Sequence, residues 1–356
     1  MAGTTRDGAT QRQRKPTQAD VANLARVSPA IVSAVVNERP AGNIRVSDAT
    51  RQRVRAAVRQ LGYVPNIAAR NLAHGRNHIL GVFSYEPVFP LESVNFYHEF
   101  LVGIEEEAES AGYNLLMFTA AKRNGGARSV YADGVNSLQL ADGAVLVGSH
   151  ERHDEIVQLA GEKYPFVIVG RRDFPGADVS FAAADYAGGA RDAVHALFER
   201  GHRRIALARG MGDHESAIDR YTGFLRGRRE CGLAADDTPI WRLQDDVPTA
   251  PLADQLAAAG VTAVVTESTS LARAVRMAAR RAKLAIPRQL SLLDLGGAVS
   301  PLETPDISTL VLPRRDMGRQ AVQLLLKLLD DPAAAPLQST LSCRLELTRT
   351  VGPPPA

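Results

Sequence analysis

Residues 17–37 read TQADVANLARVSPAIVSAVVN, and this stretch decides the fold of the amino-terminal part of the chain. Apolar residues recur at helical spacing in both halves of it: Val21, Leu24 and Ala25, then Ile31, Val32 and Val35. Ser28 is a suitable N-cap for the second helix, and Pro29 fits its first position because the N–H that proline lacks would have no partner there. Two short helices joined by a tight turn form a helix-turn-helix, whose second helix is shaped to enter a DNA major groove.

A third helix is predicted after a loop that contains Pro40 and Gly42. Ser47 is a suitable N-cap for this helix, and Gly62 is placed to end it. Its apolar face consists of Val54, Val58 and Leu61. We therefore expect a three-helix DNA-binding domain at residues 17–64.

The segments on either side of this domain differ in composition. Residues 1–16 are rich in Gly, Thr, Arg and Gln, and we expect a disordered tail there. In residues 65–77, the stretch Pro65–Gly75 fits either a short helix or a plain linker. Fewer than about a dozen residues make a marginal helix in water, so a helix here would form only with DNA and a partner chain. The spacing alone favours neither interpretation.

The formal charge of the chain is only +3, but it is distributed unevenly. Residues 1–76 contain thirteen Lys and Arg and four Asp and Glu, which gives +9 there and leaves −6 on the rest. This asymmetry favours a polyanionic partner for the amino-terminal part alone. Solvated charged faces would also explain it, but the basic part coincides with the helix-turn-helix.

The composition, with 45% hydrophobic and 23% charged residues over 356 positions, is that of a globular protein of two or three domains. Cys231 and Cys343 lie far apart without a CxxC partner, which is typical of a reducing compartment. No apolar run reaches membrane-spanning length, and residues 1–15 lack the apolar core of a secretion signal. We therefore expect a cytoplasmic protein.

From residue 79 onward, short apolar runs alternate with amphipathic helices. The predicted strands are Ile79–Phe83, Leu115–Phe118, Ala144–Val147, Phe166–Val169, Ile205–Ala208, Ala263–Val265 and Leu290–Leu293. Helices are predicted between them, as at Phe100–Ala111, Ala187–Arg200 and Ser270–Ala282. This alternation is typical of α/β folds with helices on both faces of parallel sheets. About 270 residues suffice for two such subdomains with a ligand cleft between them. A last apolar stretch, Leu341–Leu347, precedes a Pro-rich end that we expect to fray.

The sequence contains no catalytic signature that we recognise. The phosphate loop GxxxxGK[ST], the dinucleotide fingerprint GxGxxG and the nucleophile elbow GxSxG are all absent. His150 and His153 are three residues apart, but no third ligand is placed to complete a metal site. We therefore predict a protein that is not an enzyme and uses neither a cofactor nor a metal ion.

Several motifs resemble the lac repressor family (LacI/GalR-type) of bacterial regulators. In the amino-terminal part these are Thr17–Ala22, Val27-Ser28, Val32-Ser33, Val35–Asn37, Leu61–Asn66, and Ala69, Leu72 and Ala73. In the remainder they are Ala141–Gly148, Gly201–Ala206, Arg220 with Gly223-Phe224, and Ile286-Pro287. The resemblance implies a helix-turn-helix head, a hinge helix, and a periplasmic-binding-protein-like body of two Rossmann-like parallel-sheet subdomains. The first subdomain would comprise residues 78–183 and 312–340, and the second residues 184–311 and 341–350, with a tail at 351–356.

The resemblance also implies a homodimer bound to double-stranded DNA at a near-palindromic operator. Each head would place Pro29–Val36 in a major groove, and paired Pro65–Gly75 helices would lie in the minor groove with Leu72 as a wedge between bases. A small effector in the cleft would change the angle between the subdomains and so the spacing of the hinges. The residues expected at the DNA are Thr17, Ser28, Pro29, Ala30, Ser33, Ala34, Asn37, Tyr63, Asn66, Ala69, Arg70 and Leu72.

The recognition helix departs from the family at positions that read bases. Where the family commonly has a polar pair and an Arg, this chain has Pro29, Ala30 and Ala34. These side chains form no bidentate hydrogen bonds with bases, although the methyl of Ala30 or Ala34 would suit a thymine methyl. We therefore predict that the operator is recognised more through the hinge, DNA shape and arginine–phosphate contacts.

The effector cleft departs from the family as well. The family's Asn-Asp is Ser268-Thr269 here, its Asp-Asp is Gly296-Gly297, and a common Asp is Gly170, whereas Arg220 is retained. By the resemblance, those carboxylates would bind ligand hydroxyls. A pocket with arginine and few carboxylates suits an anionic ligand such as a phosphorylated or acidic sugar, and an empty cleft is the alternative. The residues expected at the effector are Phe96, Tyr97, Arg171, Arg220, Ser268 and Gly297.

Some alternatives remain open at this point. Phe96 and Tyr97 either line the cleft or belong to the core, and Arg171 and Arg172 either line it or lie in solvent. The leading function is a sequence-specific transcription regulator, a repressor switched by a ligand. A periplasmic-type small-molecule receptor is the alternative, and the basic helix-turn-helix in place of a secretion signal favours the regulator.

Overall fold

The structure is a computed structural model that describes residues 16–36, 46–64, 76–86, 96–119, 128–148, 152–233, 239–244, 249–297, 306–334 and 336–355. The chain divides into two compact units, the head at Met1–Asn77 and the body at His78–Ala356. Five of the residues predicted to contact DNA lie outside the described ranges: Asn37, Asn66, Ala69, Arg70 and Leu72.

The head consists of three helices in its described part: α1 (Gln18–Ala25), α2 (Pro29–Val36) and α3 (Asp48–Leu61). A capping box starts α1, because Thr17 Oγ1 accepts a hydrogen bond from the Asp20 amide while the Asp20 carboxylate accepts one from the Thr17 amide. The N-cap Ser47 starts α3, and Gly62 ends it in the left-handed conformation at φ 62°. The predicted caps of α3 are confirmed.

The core of the head takes one fully buried valine from each helix, namely Val21, Val32 and Val54. The stripe predicted for α1 is wrong at Leu24, whose side chain is 43% exposed, while Ala22 is buried in its place. Packing against α2 and α3 determines which face of the short helix α1 is buried. The small side chain of Ala22 allows these helices to approach α1 closely.

The strands of the body are β1 (Ile79–Phe83), β2 (Asn114–Phe118), β3 (Tyr131–Ala132), β4 (Val135–Asn136), β5 (Gly143–Leu146), β6 (Phe166–Val169), β7 (Ser180–Ala184), β8 (Ile205–Arg209), β9 (Ile240–Arg242), β10 (Ala263–Thr266), β11 (Ser291–Asp294), β12 (Ser308–Val311), β13 (Gln338–Leu341) and β14 (Arg344–Glu346). Its helices are α4 (His98–Ser110), α5 (His153–Gly161), α6 (Tyr186–Glu199), α7 (Glu215–Glu230), α8 (Thr249–Ala259), α9 (Thr269–Arg281) and α10 (Arg314–Asp330). The predicted strands and helices lie within one or two residues of these bounds.

Two six-stranded sheets organise the body, in the orders β13-β7-β6-β5-β1-β2 and β14-β12-β11-β10-β8-β9. Neighbouring strands of the first sheet pair in parallel. The second sheet is parallel except for its edge strand β14, which pairs antiparallel with β12. The expected α/β architecture with two parallel-sheet subdomains is confirmed.

The chain passes between the two subdomains three times: after β7, after β12, and between β13 and β14. The last of these crossings divides Leu341–Leu347, which the sequence presents as one apolar stretch. Leu341 ends β13 in the first sheet, whereas Leu345 lies in β14 of the second. Both strands are edge strands with half-buried side chains, so the apolar pattern does not show that β13 and β14 belong to different sheets.

The end of the chain is held by the second subdomain. The Gly352 amide donates a hydrogen bond to Ser291 Oγ (3.0 Å), and the Gly352 carbonyl accepts one from His202 Nε2 (2.8 Å). The prediction that residues 351–356 fray is therefore wrong at Gly352. No single helix in the described part of the chain is long and apolar enough to cross a membrane, although the bent pair α1 and α2 would pass on length and composition alone.

Candidate functional site: a recognition helix and an arginine-lined cleft

The recognition helix α2 presents short side chains. Ser28, Pro29 and Ala30 at its start are exposed, and Ser33 is partly exposed. Ala34 is only 5% exposed and faces the core of the head, so its predicted DNA contact is not supported by the geometry. Ala34 lies on the same inward face of α2 as the buried Val32 and Val35.

Two other predicted DNA contacts also hold the head together. The Thr17 hydroxyl donates to the Asp20 carboxylate at 2.7 Å, and Tyr63 packs half-buried against the core of the head. Gln18 Nε2 donates to the Pro29 carbonyl at 3.3 Å, which ties the start of α1 to the start of α2. No pattern in the sequence singles out Gln18, because a contact between two helices leaves no periodic signal.

The body contains a cavity of about 740 Å³ between its subdomains. It opens at the carboxyl ends of parallel strands, where Gly148, Gly170, Gly210 and Glu267 follow β5, β6, β8 and β10. Ligands of open parallel sheets bind at this edge, and the volume is in the range of small-molecule sites. Of the predicted effector residues, the structure brings together Phe96, Tyr97, Arg220, Ser268 and Gly297 in the cavity lining.

Arg220 on α7 is held in place by the second subdomain. Its Nε donates to the Leu295 carbonyl at 3.1 Å, and its Nη1 donates to the Ser216 carbonyl at 3.1 Å. The guanidinium lies over the Tyr186 ring, 4.2 Å from the centroid. Within the described residues its Nη2 makes no hydrogen bond, and Arg220 forms no ion pair with a carboxylate there. Its side chain is therefore a preorganised cationic donor.

Ser268 lines the cavity as the N-cap of α9. Its hydroxyl accepts a hydrogen bond from the Leu271 amide (3.3 Å) and lies 2.9 Å from the hydroxyl of Ser270. Thr269 and Ser270, in the first turn of α9, also belong to the cavity lining.

The two glycines after β11 lie where no side chain fits. A Cβ on Gly296 would be 2.8 Å from Ser268 Cα, and one on Gly297 would be 2.8 Å from Leu312 Cγ. Gly297 also has φ 67°, a conformation that favours glycine. Their carbonyls are occupied by the buried Arg314, whose Nη2 donates to the Gly297 oxygen at 2.7 Å.

Arg171 does not line the cavity, and its predicted effector contact is not supported by the geometry. It donates to the Asp219 carboxylate through Nε (3.3 Å) and Nη2 (2.9 Å), and to Asp173 through Nη1. These bonds join the loop after β6 in the first subdomain to α7 in the second. Its neighbour Arg172 lines the cavity instead and donates to the Gly148 carbonyl at 2.9 Å.

The aromatic pair has a double role. Phe96 is 41% exposed and lines the cavity, and its ring lies 5.0 Å from the Arg314 guanidinium. Tyr97 lines the cavity too and packs against the main core of the body. Phe96 therefore lines the cleft, and Tyr97 both lines the cleft and packs against the core.

Several lining residues were not predicted from the sequence: Tyr186, Met211, His214, Glu267, Arg273 and Met317. Arg273 lies one turn beyond the residues that face the cleft on α9, so helical spacing from Ser268-Thr269 would have found it. Glu267 is already engaged, since its Oε2 accepts from the Gly210 amide (2.9 Å) and lies 3.7 Å from Arg209 Nε.

Two titratable groups beside the cavity are shifted by their surroundings. Burial, followed by the positive charge of Arg220, lowers the pKa of His214, whose Nδ1 accepts a hydrogen bond from the Ala217 amide. Burial raises the pKa of Asp294, which lies behind the lining and accepts hydrogen bonds from Thr269 Oγ1 (2.8 Å) and the Gly296 amide (2.8 Å). Asp294 thereby positions two lining residues. No group of three or more His, Cys, Asp or Glu suited to a metal ion occurs in the described ranges.

A helix-turn-helix head joined to a two-subdomain body with a cavity at its strand ends defines a class, the DNA-binding regulators with a periplasmic-binding-protein-like body. Residues 17–66 match the bacterial regulatory proteins of the lacI family, and residues 194–351 match the periplasmic binding protein-like domain. The HTH-type transcriptional regulator AglR of Rhizobium meliloti is 30% identical over 315 residues, which cover 85% of this chain and 83% of AglR. The HTH-type transcriptional regulator CelR of Thermobifida fusca is 29% identical over 341 residues, which cover 94% of this chain and 98% of CelR. The chain belongs to the lacI family of bacterial regulatory proteins.

Solved structures match most of the chain. A complex of the regulator CelR with cellobiose has a TM-score of 0.62 at 25% identity and covers 94% of this chain and 99% of that one. The lac repressor dimer bound to operator and the anti-inducer ONPF has a TM-score of 0.72 at 20% identity, with coverages of 95% and 100%.

Proposed function

We propose that the protein is a sequence-specific transcriptional repressor whose affinity for its operator changes when a small molecule occupies the cavity of the body. The observation that carries this proposal is the presence, in one chain, of a basic helix-turn-helix head and a body with a cavity of about 740 Å³ lined from two subdomains. We infer that it acts as a homodimer in the cytoplasm, without enzymatic activity. The relatives named as transcription regulators support the absence of enzymatic activity, and the lac repressor structure, which is that of a dimer, supports the homodimer.

The lining explains how a ligand would act. Arg172 follows β6 of the first subdomain, whereas Arg220 and Thr269 belong to the second. A ligand shifts an equilibrium only through its different affinities for the two states, so contacts on both sides of a cleft are what such a switch needs. The angle between the subdomains would then control the hinges at residues 65–77, a step that is predicted from the sequence.

The head supports DNA recognition with little direct reading of bases by α2. Its exposed start offers Pro29 and Ala30, neither of which forms a bidentate hydrogen bond with a base edge. Arg53 and Arg59 on α3 are exposed and carry part of the positive charge of the head. We infer that phosphate contacts and DNA shape supply much of the affinity.

The alternative function, a periplasmic-type receptor without a DNA-binding role, has support from the body alone. Nothing in such a role uses a capped three-helix head whose segment carries a charge of +9. Because the head matches the lacI family model over residues 17–66, we prefer the regulator.

A mobility-shift titration of the full chain with DNA from its own promoter region, against a shuffled duplex of equal length, tests the proposal. We expect preference for the promoter DNA, and we expect Ala30→Glu to weaken binding by about tenfold or more, since it places a carboxylate among phosphates. An acidic residue near a helix start does not disfavour the helix, so the fold should be retained.

Ala257→Glu is the matched control, because Ala257 is also exposed and makes the same change of charge, but it lies on α8 of the body. It should leave DNA affinity close to that of the parent chain. Equal affinity for promoter and shuffled DNA would overturn the proposed function, and equal losses in the two variants would remove α2 from the DNA interface.

A further inference from the structure

We infer that the cavity of the body takes a small organic anion, a polyol or sugar-sized molecule that carries a phosphate ester or a carboxylate, rather than a neutral sugar. The inference rests on the proposed function in one respect, that this cavity is the effector site. It adds the chemical class of the effector, which the similarity to sugar-binding relatives does not supply.

The first observation is the balance of charge around the cavity. Among the described lining residues, three guanidinium groups face a single carboxylate: Arg172, Arg220 and Arg273 against Glu267. Neither Arg220 nor Arg273 forms an ion pair with a carboxylate in the described part of the chain. Their charges are therefore not neutralised by the protein, and an anion would gain charge-assisted hydrogen bonds in a site partly withdrawn from water.

The second observation is that the single carboxylate is already committed. Glu267 is 6% exposed, accepts a hydrogen bond from the Gly210 amide and lies close to the Arg209 guanidinium. It pairs with Arg209 rather than with Arg220 or Arg273, while Arg172 lies 3.9 Å from a different carboxylate, that of Glu215. Asp294 lies behind the lining and accepts hydrogen bonds from Thr266, Thr269 and the Gly296 amide, so it is not offered to a ligand hydroxyl.

The third observation is that the absence of carboxylates after β11 is imposed by the packing. A side chain on Gly296 would collide with the backbone at Ser268, and one on Gly297 would collide with Leu312 and the Leu310 carbonyl. The site cannot regain a ligand-binding carboxylate at these two positions without moving β11 away from its neighbours. The excess of positive charge is thus a property of the fold of this cleft.

The fourth observation is the distribution of the arginines. Arg172 belongs to the first subdomain, and Arg220 and Arg273 belong to α7 and α9 of the second. Arg172 Nε lies 3.9 Å from Glu215 Oε2 of α7, so this arginine already has a carboxylate partner across the cleft. An anion between the subdomains would add attraction to Arg220 and Arg273, and so reach the second subdomain while it contacts Arg172 of the first. Charge on the ligand would therefore strengthen an arrangement of the subdomains that the pairs of Arg171 with Asp219 and Asp173 with Glu215 already favour.

The test is calorimetric titration of the full-length protein with matched probes: glucose, glucuronate and glucose 6-phosphate, then ribose and ribose 5-phosphate, with cellobiose and inorganic phosphate as further probes. We expect at least one anionic sugar to bind at least about tenfold more tightly than its neutral counterpart, which corresponds to about 1.4 kcal/mol. We also expect its affinity to fall as NaCl is raised, because salt screens the attraction. The comparison of glucuronate with glucose 6-phosphate distinguishes a carboxylate from a phosphate ester.

Arg273→Gln should weaken the anionic probe by about tenfold while leaving the thermal midpoint unchanged, since Arg273 is an exposed residue of α9. Arg276→Gln is the matched control: it lies on the same helix, is also exposed, and is not part of the cavity lining. It should bind the probe as the parent chain does.

Tighter or equal binding of the neutral member of each pair, or equal effects of the two variants, would overturn the inference. Failure of every anionic probe to bind would overturn it as well. The mobility shift is measured without any ligand and is independent of the calorimetric titration. A lack of preference for promoter DNA would therefore contradict the proposed function, whereas the titration alone tests whether the cavity binds an anion.

Discussion

At the scale of single residues, one buried histidine links the start of β8 to the end of the chain. His202 is fully buried, with Nε2 2.8 Å from the Gly352 carbonyl and Nδ1 2.9 Å from Thr262 Oγ1. Since a carbonyl only accepts, Nε2 must carry the proton, and the neutral ring then accepts from the threonine at Nδ1. Burial lowers the pKa of His202 below its ordinary value of 6.5.

This histidine makes the second subdomain sensitive to mild acid. As the pH falls below about 6.5, the unfolded chain takes up a proton that the folded imidazole resists, so the free energy of unfolding decreases. In His202→Gln, whose amide still donates to Gly352, this part of the decrease should be absent. Urea unfolding followed by the fluorescence of Trp241, the single tryptophan, should be compared at about pH 7.5 and about pH 5.5. Parallel loss of stability in both proteins would contradict the assignment.

At the scale of elements, glycines allow pairs of helices to touch through their backbones. An ideal Cβ on Gly103 of α4 would lie 1.9 Å from the Arg315 carbonyl oxygen, and one on Gly318 of α10 would lie 2.2 Å from the Phe100 oxygen. The pair α6 and α7 repeats the device, since a Cβ on Gly223 would lie 2.1 Å from the Ala187 oxygen. Each subdomain is therefore braced by one close helix pair.

Gly103→Ala should destabilise the first subdomain by about 1–3 kcal/mol, because α10 must move away to admit the methyl group. Gly161→Ala is the control, since Gly161 ends α5 and a Cβ there meets nothing within 4 Å. That substitution should be neutral or stabilising, as alanine favours a helix by up to about 1 kcal/mol over glycine. Thermal unfolding by circular dichroism of the two variants decides the matter, and an unchanged midpoint for Gly103→Ala would show that the helices are not in backbone contact.

At the scale of the whole molecule, a polar latch joins the two subdomains beside the cavity. Arg171 binds Asp219 through two nitrogens, and the Asp173 amide donates to Glu215 Oε1 at 3.1 Å. The first member of each pair follows β6 of one subdomain, and the second lies on α7 of the other. The latch therefore favours the arrangement of subdomains seen here even before a ligand binds.

Arg171→Gln should release this latch. A partly exposed ion pair contributes up to about 1 kcal/mol, so we expect amide hydrogens near Asp173 and at the start of α7 to exchange a few-fold faster. Arg226→Gln is the control, because it removes an exposed pair with Glu230 that lies entirely within α7 (2.8 Å). Exchange measured by mass spectrometry should respond to the first variant alone, and an unchanged rate near Asp173 would mean that the latch does not hold the cleft.

The local features of this protein were determined by the sequence itself. Ser47 and Gly62 bound α3 because capping and left-handed turns depend on neighbouring residues, and runs such as Phe166–Val169 are apolar enough to be buried strands in any α/β fold. The resemblance to the family predicted that Arg220 and Ser268 lie in the cleft, and both line the cavity. The exposure of Leu24 and the burial of Ala34 were not predicted, because an eight-residue helix is too short for its apolar spacing to define the buried face.

What only the tertiary structure decided is which side chains meet across the chain. Arg171 and Arg172 are adjacent in sequence and both cationic, yet one closes on Asp219 and the other lines the cavity. Arg273 and Arg172 are about a hundred residues apart and share one cavity only because two sheets present their carboxyl ends to each other. Helix caps and strand burial depend on residues close together in the sequence. The charge balance of a cleft depends on residues from distant segments, which are brought together only when the chain folds.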